Sequence, residues 1–256
     1  MKIGLALGGG GARGLAHIGV LKALERNKIK IDFIAGTSMG AIIGAFYAAG
    51  VTVNHLEHLA TSTDWKKIYS LLDPKFKDGL FGGEKLVNFL KSELGDLEFK
   101  NLKKPLFVTA TDLLTAEIKI FKSGKIIPAL RASSSLPLVF NPVKNKETVL
   151  IDGCFSLPVP ASPLLKAGAD LIIAVNLDAD YFSKKKNGTT NLFNTINNSL
   201  LLLRHHLAAA NCEKAQVIIK PKVGQYSWYD FFKATEIIDA GEDEANKIIK
   251  KLKSGL

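Results

Sequence analysis

The segment Gly36-Thr37-Ser38-Met39-Gly40 constrains this chain more than any other stretch. An apolar, strand-like run from Ile31 to Ala35 leads into it, and the small residues Ala41 to Ala45 continue it as a helix would. A serine on such a sharp strand-to-helix turn is held in strained backbone. The turn lifts its hydroxyl clear of the sheet, at the positive end of a helix. Gly36 and Gly40 leave room that a side chain would deny. The chemistry favoured by this arrangement is acyl transfer to Ser38.

The same strand–helix alternation recurs along the chain. Strands are expected at residues 2–7, 31–35, 105–112, 117–122, 148–152, 171–177 and 216–220. Most are continuous Val/Ile/Leu/Phe runs, as suits strands buried on both faces. Helices are expected at residues 12–26, 39–49, 53–61, 83–94, 125–134, 161–167, 194–210 and 232–253, with Gly50 closing one of them. The pattern predicts α/β architecture: a three-layer α/β/α sandwich with a mostly parallel central sheet. Residues 1–256 read as a single domain without internal repeat or linker. Residues 69–83 and 181–191 read as surface insertions, the second carrying Lys184-Lys185-Lys186.

Two cysteines, Cys154 and Cys212, are too few for a disulfide framework and point to reduced thiols in a cytoplasmic protein. The N-terminal Met1-Lys2-Ile3-Gly4-Leu5 superficially resembles a signal peptide, but it runs into glycines and Arg13 with no cleavage pattern, so a buried strand explains it better. No run reaches the ~18 apolar residues of a membrane span. The net charge of +10 comes mostly from scattered lysines, with no arginine cluster and no interleaved aromatics. That pattern excludes a typical nucleic-acid binder and is compatible with anionic lipid headgroups or with simple solubility.

Gly8-Gly9-Gly10-Gly11-Ala12-Arg13-Gly14 follows the first strand and opens the first helix, where backbone N–H groups can hold an anion. Gly9-x-Gly11-x-x-Gly14 matches a dinucleotide fingerprint, a weak signal by itself. That use requires an acidic ribose anchor at the end of the second strand, and the serine turn stands there instead. The other use is an oxyanion hole beside Ser38, with Arg13 holding the loop or adding positive potential. For a base, the five histidines His17, His55, His58, His205 and His206 all lie in helical runs and read as packed or solvated. A Ser38…Asp152…His206 triad would require an elbow after several strands rather than after the second. Asp152, ending the buried run Val149-Leu150-Ile151 at the carboxyl edge of the sheet, is the stronger candidate, although Asp-Gly is also a common turn pair.

Together these pieces resemble the patatin-like phospholipases, specifically their small bacterial members. The resemblance rests on Gly9-Gly10-Gly11-Ala12-Arg13-Gly14, Gly36-Thr37-Ser38-Met39-Gly40, Asp152-Gly153, the block Arg131-Ala132-Ser133-Ser134-Ser135-Leu136-Pro137, and Asp112. It implies a patatin-like fold and a Ser38–Asp152 dyad without a histidine. Ser38 attacks an ester carbonyl, Asp152 takes its proton, Gly10 and Gly11 donate to the oxyanion, Arg13 supports the loop, and water releases the acyl group. It implies no cofactor and no metal. The chain departs from the family at Cys154, where glycine or alanine is more usual.

The substrate class so implied is an acyl ester of a lipid; the diffuse positive charge is compatible with peripheral contact at the inner face of an anionic membrane. The stretch 69–83, with Leu71, Leu72, Phe76, Leu80 and Phe81 among Lys75 and Lys77, would suit a flap at such an interface as well as an ordinary surface excursion. Two other functions are weighed beside the hydrolase. A nucleotide-binding oxidoreductase lacks its ribose anchor. A non-catalytic adaptor of the same fold is disfavoured by the intact Ser38 and Asp152. Nothing in the pattern selects an oligomeric state.

Overall fold

A computed structural model describes residues 1–62, 83–137, 139–182 and 192–254 of the chain. Its strands are β1 (Ile3–Leu7), β2 (Phe33–Thr37), β3 (Leu106–Asp112), β4 (Ile118–Phe121), β5 (Val143–Lys144), β6 (Val149–Asp152), β7 (Leu171–Val175) and β8 (Val217–Ile219). Its α-helices are α1 (Ala16–Arg26), α2 (Met39–Ala49), α3 (Val53–Ser62), α4 (Glu84–Leu94), α5 (Ile126–Ser133), α6 (Ala161–Lys166), α7 (Leu192–Cys212) and α8 (Ala234–Lys253). These agree with the expected elements to within a few residues. The expected first helix opens as a 3-10 turn over Gly11–Leu15, and the two-residue β5 carried no periodic signal. The expected insertions lie outside the described residues, apart from Gly83, Tyr181 and Phe182.

The sheet is mixed and mostly parallel, in the order β5-β6-β3-β2-β1-β7-β8, with β4 also paired to β3. Strands β3, β2, β1, β7 and β8 are parallel neighbours, whereas β4, β5 and β6 join antiparallel. Alternation along the central strands sorts side chains by size. Leu5, Leu7, Ile34, Ile173 and Val175 face one layer with α1, α2 and α8. Ala6, Ala35 and Ala174 face the other with α6 and the end of α7. Alanines on that face let α6 and α7 lie close to the sheet. On the opposite face α1 and α8 cross backbone to backbone. A Cβ on Gly19 would strike the Ile238 carbonyl, and one on Gly241 would strike that of Ala16. Gly50 ends α2 in the left-handed conformation at φ 92°, as a C-terminal glycine should.

Strand β4 departs from the doubly buried pattern, since Ile118 and Ile120 are exposed on the sheet's flank. Strand β6 departs in direction. It runs against β3, so its carboxyl end points away from the edge where the parallel strands end. Asp152 reaches the site through register instead. It pairs with Ala110 of β3, while Thr109 of β3 pairs with Thr37 of β2, the residue before Ser38.

Candidate active site

Ser38 lies between β2 and α2 at φ 54°, ψ −124°, a backbone conformation that a side chain makes costly. The flanking glycines make it possible. A Cβ on Gly36 would lie 2.5 Å from the Gly40 carbonyl, and one on Gly40 would run into the carbonyls of Leu7 and Gly8. The elbow is pinned by its neighbours. The Ser38 N–H donates to Ser133 Oγ at 2.8 Å, and its carbonyl accepts from Ala41 and Ile42 in the first turn of α2. Below it, Thr37 Oγ1 bonds Thr109 Oγ1 at 2.7 Å and the Leu157 carbonyl at 2.8 Å.

Ser38 Oγ donates to Asp152 Oδ2 at 2.6 Å. The other carboxylate oxygen, Oδ1, accepts the Cys154 N–H at 2.8 Å, and the Asp152 N–H donates to the Ser135 carbonyl at 3.0 Å. Those anchors orient the carboxylate, leaving Oδ2 for the serine. Gly153 is required for the turn, because a Cβ there would sit 2.6 Å from the Thr109 carbonyl. Asp152 is 1% exposed. Burial pushes its carboxyl above the ordinary range, against the opposing pull of hydrogen bonds from Ser38 and Cys154. A carboxylate moved in that direction is a stronger base than one in water.

The glycine turn passes beside this pair. A Cβ on Gly9 would lie 3.2 Å from Ser38 Cβ and would overlap Cys154 Sγ. The Gly9 N–H bonds the Pro158 carbonyl and the Gly8 N–H that of Val175, whereas the N–H groups of Gly10 and Gly11 have no protein acceptor among the described residues. Gly11 is at φ 58° and packs against the Trp228 backbone, whose carbonyl accepts the Ala12 N–H at 2.7 Å. Cys154 fits because Gly9 has no side chain: its thiol fills that space. The thiol is buried, and both burial and the neighbouring Asp152 raise its pKa well above normal.

Arg13 is buried in an ion cluster. Its Nη2 lies 3.2 Å from Asp178 Oδ1, and its guanidinium sits 5.2 Å from the Tyr181 ring centroid. Arg204 of α7 contacts both Asp178 oxygens at 2.7 and 2.8 Å and reaches the Gly9 carbonyl at 3.4 Å. Burial would raise the Asp178 carboxyl, but the two guanidiniums carry it below its ordinary value. Two cations share one carboxylate, so the cluster leaves excess positive potential behind the glycine turn. His17 bonds the Gly8 carbonyl through Nε2 at 2.6 Å, and burial lowers its pKa to about 4, which keeps the ring neutral. His205 bonds the Asp178 carbonyl, and its ring packs against that of His206. No imidazole stands between Ser38 and Asp152.

The structure thus brings together Ser38, Asp152 and the turn containing Gly10 and Gly11, with Arg13 behind the turn. Sequence reasoning missed Asp178, Arg204 and Ser133. Asp178 carried a faint signal, a carboxylate just past the carboxyl end of a buried strand, and Ser133 lay in the block already singled out. Arg204 carried none. No group of three metal-binding side chains occurs among the described residues, and none of their helices is long and apolar enough to cross a membrane.

A family model described as Patatin-like phospholipase matches residues 5–165. An uncharacterized NTE family protein of Mycobacterium tuberculosis is 39% identical over 178 residues, which cover 69% of this chain and 49% of the relative. Lysophospholipase NTE1 of Scheffersomyces stipitis is 28% identical, over 96% of this chain and 18% of its own. Among solved structures, VipD from Legionella pneumophila superposes with a TM-score of 0.64 at 13% identity, over 98% of this chain and 66% of that one, which is a likeness of fold alone. The chain spans about half the length of the mycobacterial relative and a smaller part of the yeast one.

Proposed function

The chain belongs to the patatin-like phospholipase family, and from that premise we propose that it hydrolyses acyl esters of lipids with Ser38 as nucleophile and Asp152 as its base. The observation that carries this reading is the 2.6 Å bond between Ser38 Oγ and Asp152 Oδ2 at a strained strand-to-helix turn.

Ser38 Oγ attacks the ester carbonyl carbon as its proton passes to Asp152 Oδ2. The carbonyl electron pair moves onto oxygen, and the N–H groups of Gly10 and Gly11 stabilise that oxyanion. One such donor is typically worth about 3 kcal/mol of barrier. Collapse of the intermediate expels the alcohol, which takes the proton back from Asp152. Water then enters, gives its proton to Asp152 and attacks the acyl-serine, and collapse of that intermediate releases the fatty acid as Ser38 Oγ takes the proton back from Asp152. Arg13 acts through Asp178 and the turn rather than on the substrate, and the excess positive charge of the cluster favours the oxyanion. Neither a cofactor nor a metal has a step in this scheme.

Replacing Ser38 by Ala is expected to abolish hydrolysis of p-nitrophenyl acyl esters and lysophospholipids and to prevent labelling by a fluorophosphonate, with an unchanged circular dichroism spectrum. Turnover that survives Ser38→Ala would overturn the assignment. Full biological effect of the Ser38→Ala protein would favour an adaptor of this fold instead.

A further inference from the structure

Three aromatic side chains stand exposed within five residues of one another, next to the glycine turn. Trp228 is 40%, Tyr229 46% and Phe232 57% exposed, and the Trp228 and Tyr229 rings meet edge to face at 5.3 Å. Other exposed apolar groups among the described residues, Ile196, Leu200, Leu202 and Leu203 of α7 and Leu113, Leu114, Ile118 and Ile120 around β4, are aliphatic, whereas this one is aromatic. The loop of the three aromatics follows β8, which runs parallel to β7 and ends at the same edge of the sheet as β2 and its Ser38 elbow. In sequence the exposed Lys220 and Lys222 lie between β8 and the aromatics, and neither is engaged in an ion pair among the described residues. The nearby carboxylate of the half-buried Asp230 accepts the Ser227 N–H at 2.7 Å. Tryptophan and tyrosine with flanking lysines form the combination that settles at the headgroup level of an anionic bilayer, rings in the acyl boundary and ammoniums among phosphates. The chain's net charge of +10 favours the same partner.

We propose that Trp228, Tyr229 and Phe232, with Lys220 and Lys222, form a docking surface for an anionic lipid bilayer that is coupled to the glycine turn. The coupling is a direct hydrogen bond: the carbonyl of Trp228, whose indole enters the bilayer, accepts the Ala12 N–H at 2.7 Å, one residue past Gly11. A bilayer seated on these rings lies against the turn that faces Ser38, and it presses on the loop that holds that turn. The proposal rests on the lipid-hydrolase reading for its purpose, and its binding step is measurable without catalysis.

Binding is measured with the full chain carrying Ser38→Ala and Trp65→Phe, so that Trp228 is the one remaining tryptophan of two. With vesicles of phosphatidylglycerol and phosphatidylcholine, Trp228 emission is expected to shift to the blue and the protein to float with the lipid. With pure phosphatidylcholine, binding is expected to be at least about tenfold weaker. Lysines near an anionic surface contribute about a fivefold factor in partition each. The pair Lys220→Glu and Lys222→Glu is therefore expected to weaken flotation by about 25-fold or more, as is Tyr229→Ser with Phe232→Ser. In the protein with native Ser38, the same pairs are expected to lower the ratio of vesicle turnover to turnover of a short soluble ester. An unshifted Trp228, flotation unaffected by both pairs, or a dimer in sedimentation that both pairs dissolve, would overturn the proposal. Docking without hydrolysis by the native serine would instead refute the hydrolase reading and leave the docking surface standing.

Discussion

The fit of Cys154 against Gly9 makes a quantitative prediction about the cysteine that follows Asp152-Gly153. Gly9→Ala puts a methyl group where Cys154 Sγ lies, and 3.2 Å from Ser38 Cβ. Gly9 is not among the glycines at positive φ, so the backbone accepts alanine and the cost is steric alone. Overpacking a core by one methyl costs about 1–3 kcal/mol. Cys154→Ala removes the sulfur and leaves a small void, at a cost of about 1 kcal/mol. In the double variant the methyl occupies the volume vacated by the sulfur, so the combined loss should fall short of the sum of the single losses by about 1–2 kcal/mol. Urea unfolding of the four proteins measures this as a double-mutant cycle. At about 2–4 °C per kcal/mol for a chain of this size, Gly9→Ala should lower Tm by about 4–8 °C at a 2 kcal/mol cost, and adding Cys154→Ala should lower it no further and recover up to about half of that. Ester turnover should follow the same order, because Gly9 adjoins Ser38. Losses that add to within about 0.5 kcal/mol would refute the fit, and with it the account of why cysteine is tolerated here.

Asp152 must be ionised to take a proton, and burial raises its pKa, so the acid limb of kcat/KM on a soluble ester should titrate above the ordinary aspartate value of 3.8; a limb at or below that value would contradict a buried base. Because the folded state holds that proton more tightly than the unfolded chain, the stability contributed by protonated Asp152 is lost as pH rises through its folded pKa. Asp152→Asn should therefore abolish turnover while matching or exceeding the native stability at pH 7, as urea unfolding would measure. His17 behaves in the opposite sense. Its pKa falls from 6.5 to about 4 on folding, so the unfolded chain takes up a proton first. Stability should fall by up to about 3 kcal/mol between pH 6.5 and 4, and His17→Gln should flatten that part of the unfolding profile by one proton. Asp178→Asn leaves Arg13 and Arg204 buried without their shared counter-charge, and should cost about 3–5 kcal/mol in urea unfolding; a loss under about 1 kcal/mol would show that the cluster braces nothing.

Most of the fold was legible because its signals are local. The runs before Gly8 and Gly36 are apolar on both faces, the helices after them are periodic, and a strand that ends in glycines can do few things. Ser38 was legible for the same reason, since the demand for glycine on both sides is made within five residues. Asp152 was legible as a residue, but not the route by which it reaches the serine, because the direction of β6 depends on which strand it joins. Residues 69–83 carried a legible composition, and all but Gly83 lie outside the described residues.

By itself, the sequence determined the elements, the two glycine-bearing turns and the chemical kinds of residue that stand on them, because steric rules for backbone and periodic burial act over a few residues. Only the tertiary structure decided what those residues touch. The antiparallel register that levels Asp152 with the elbow, the space above Gly9 that admits the Cys154 thiol, and the sharing of Asp178 by Arg13 and Arg204 join residues up to 191 positions apart. Contacts at that separation are set by how whole layers pack, and a local pattern carries no record of them.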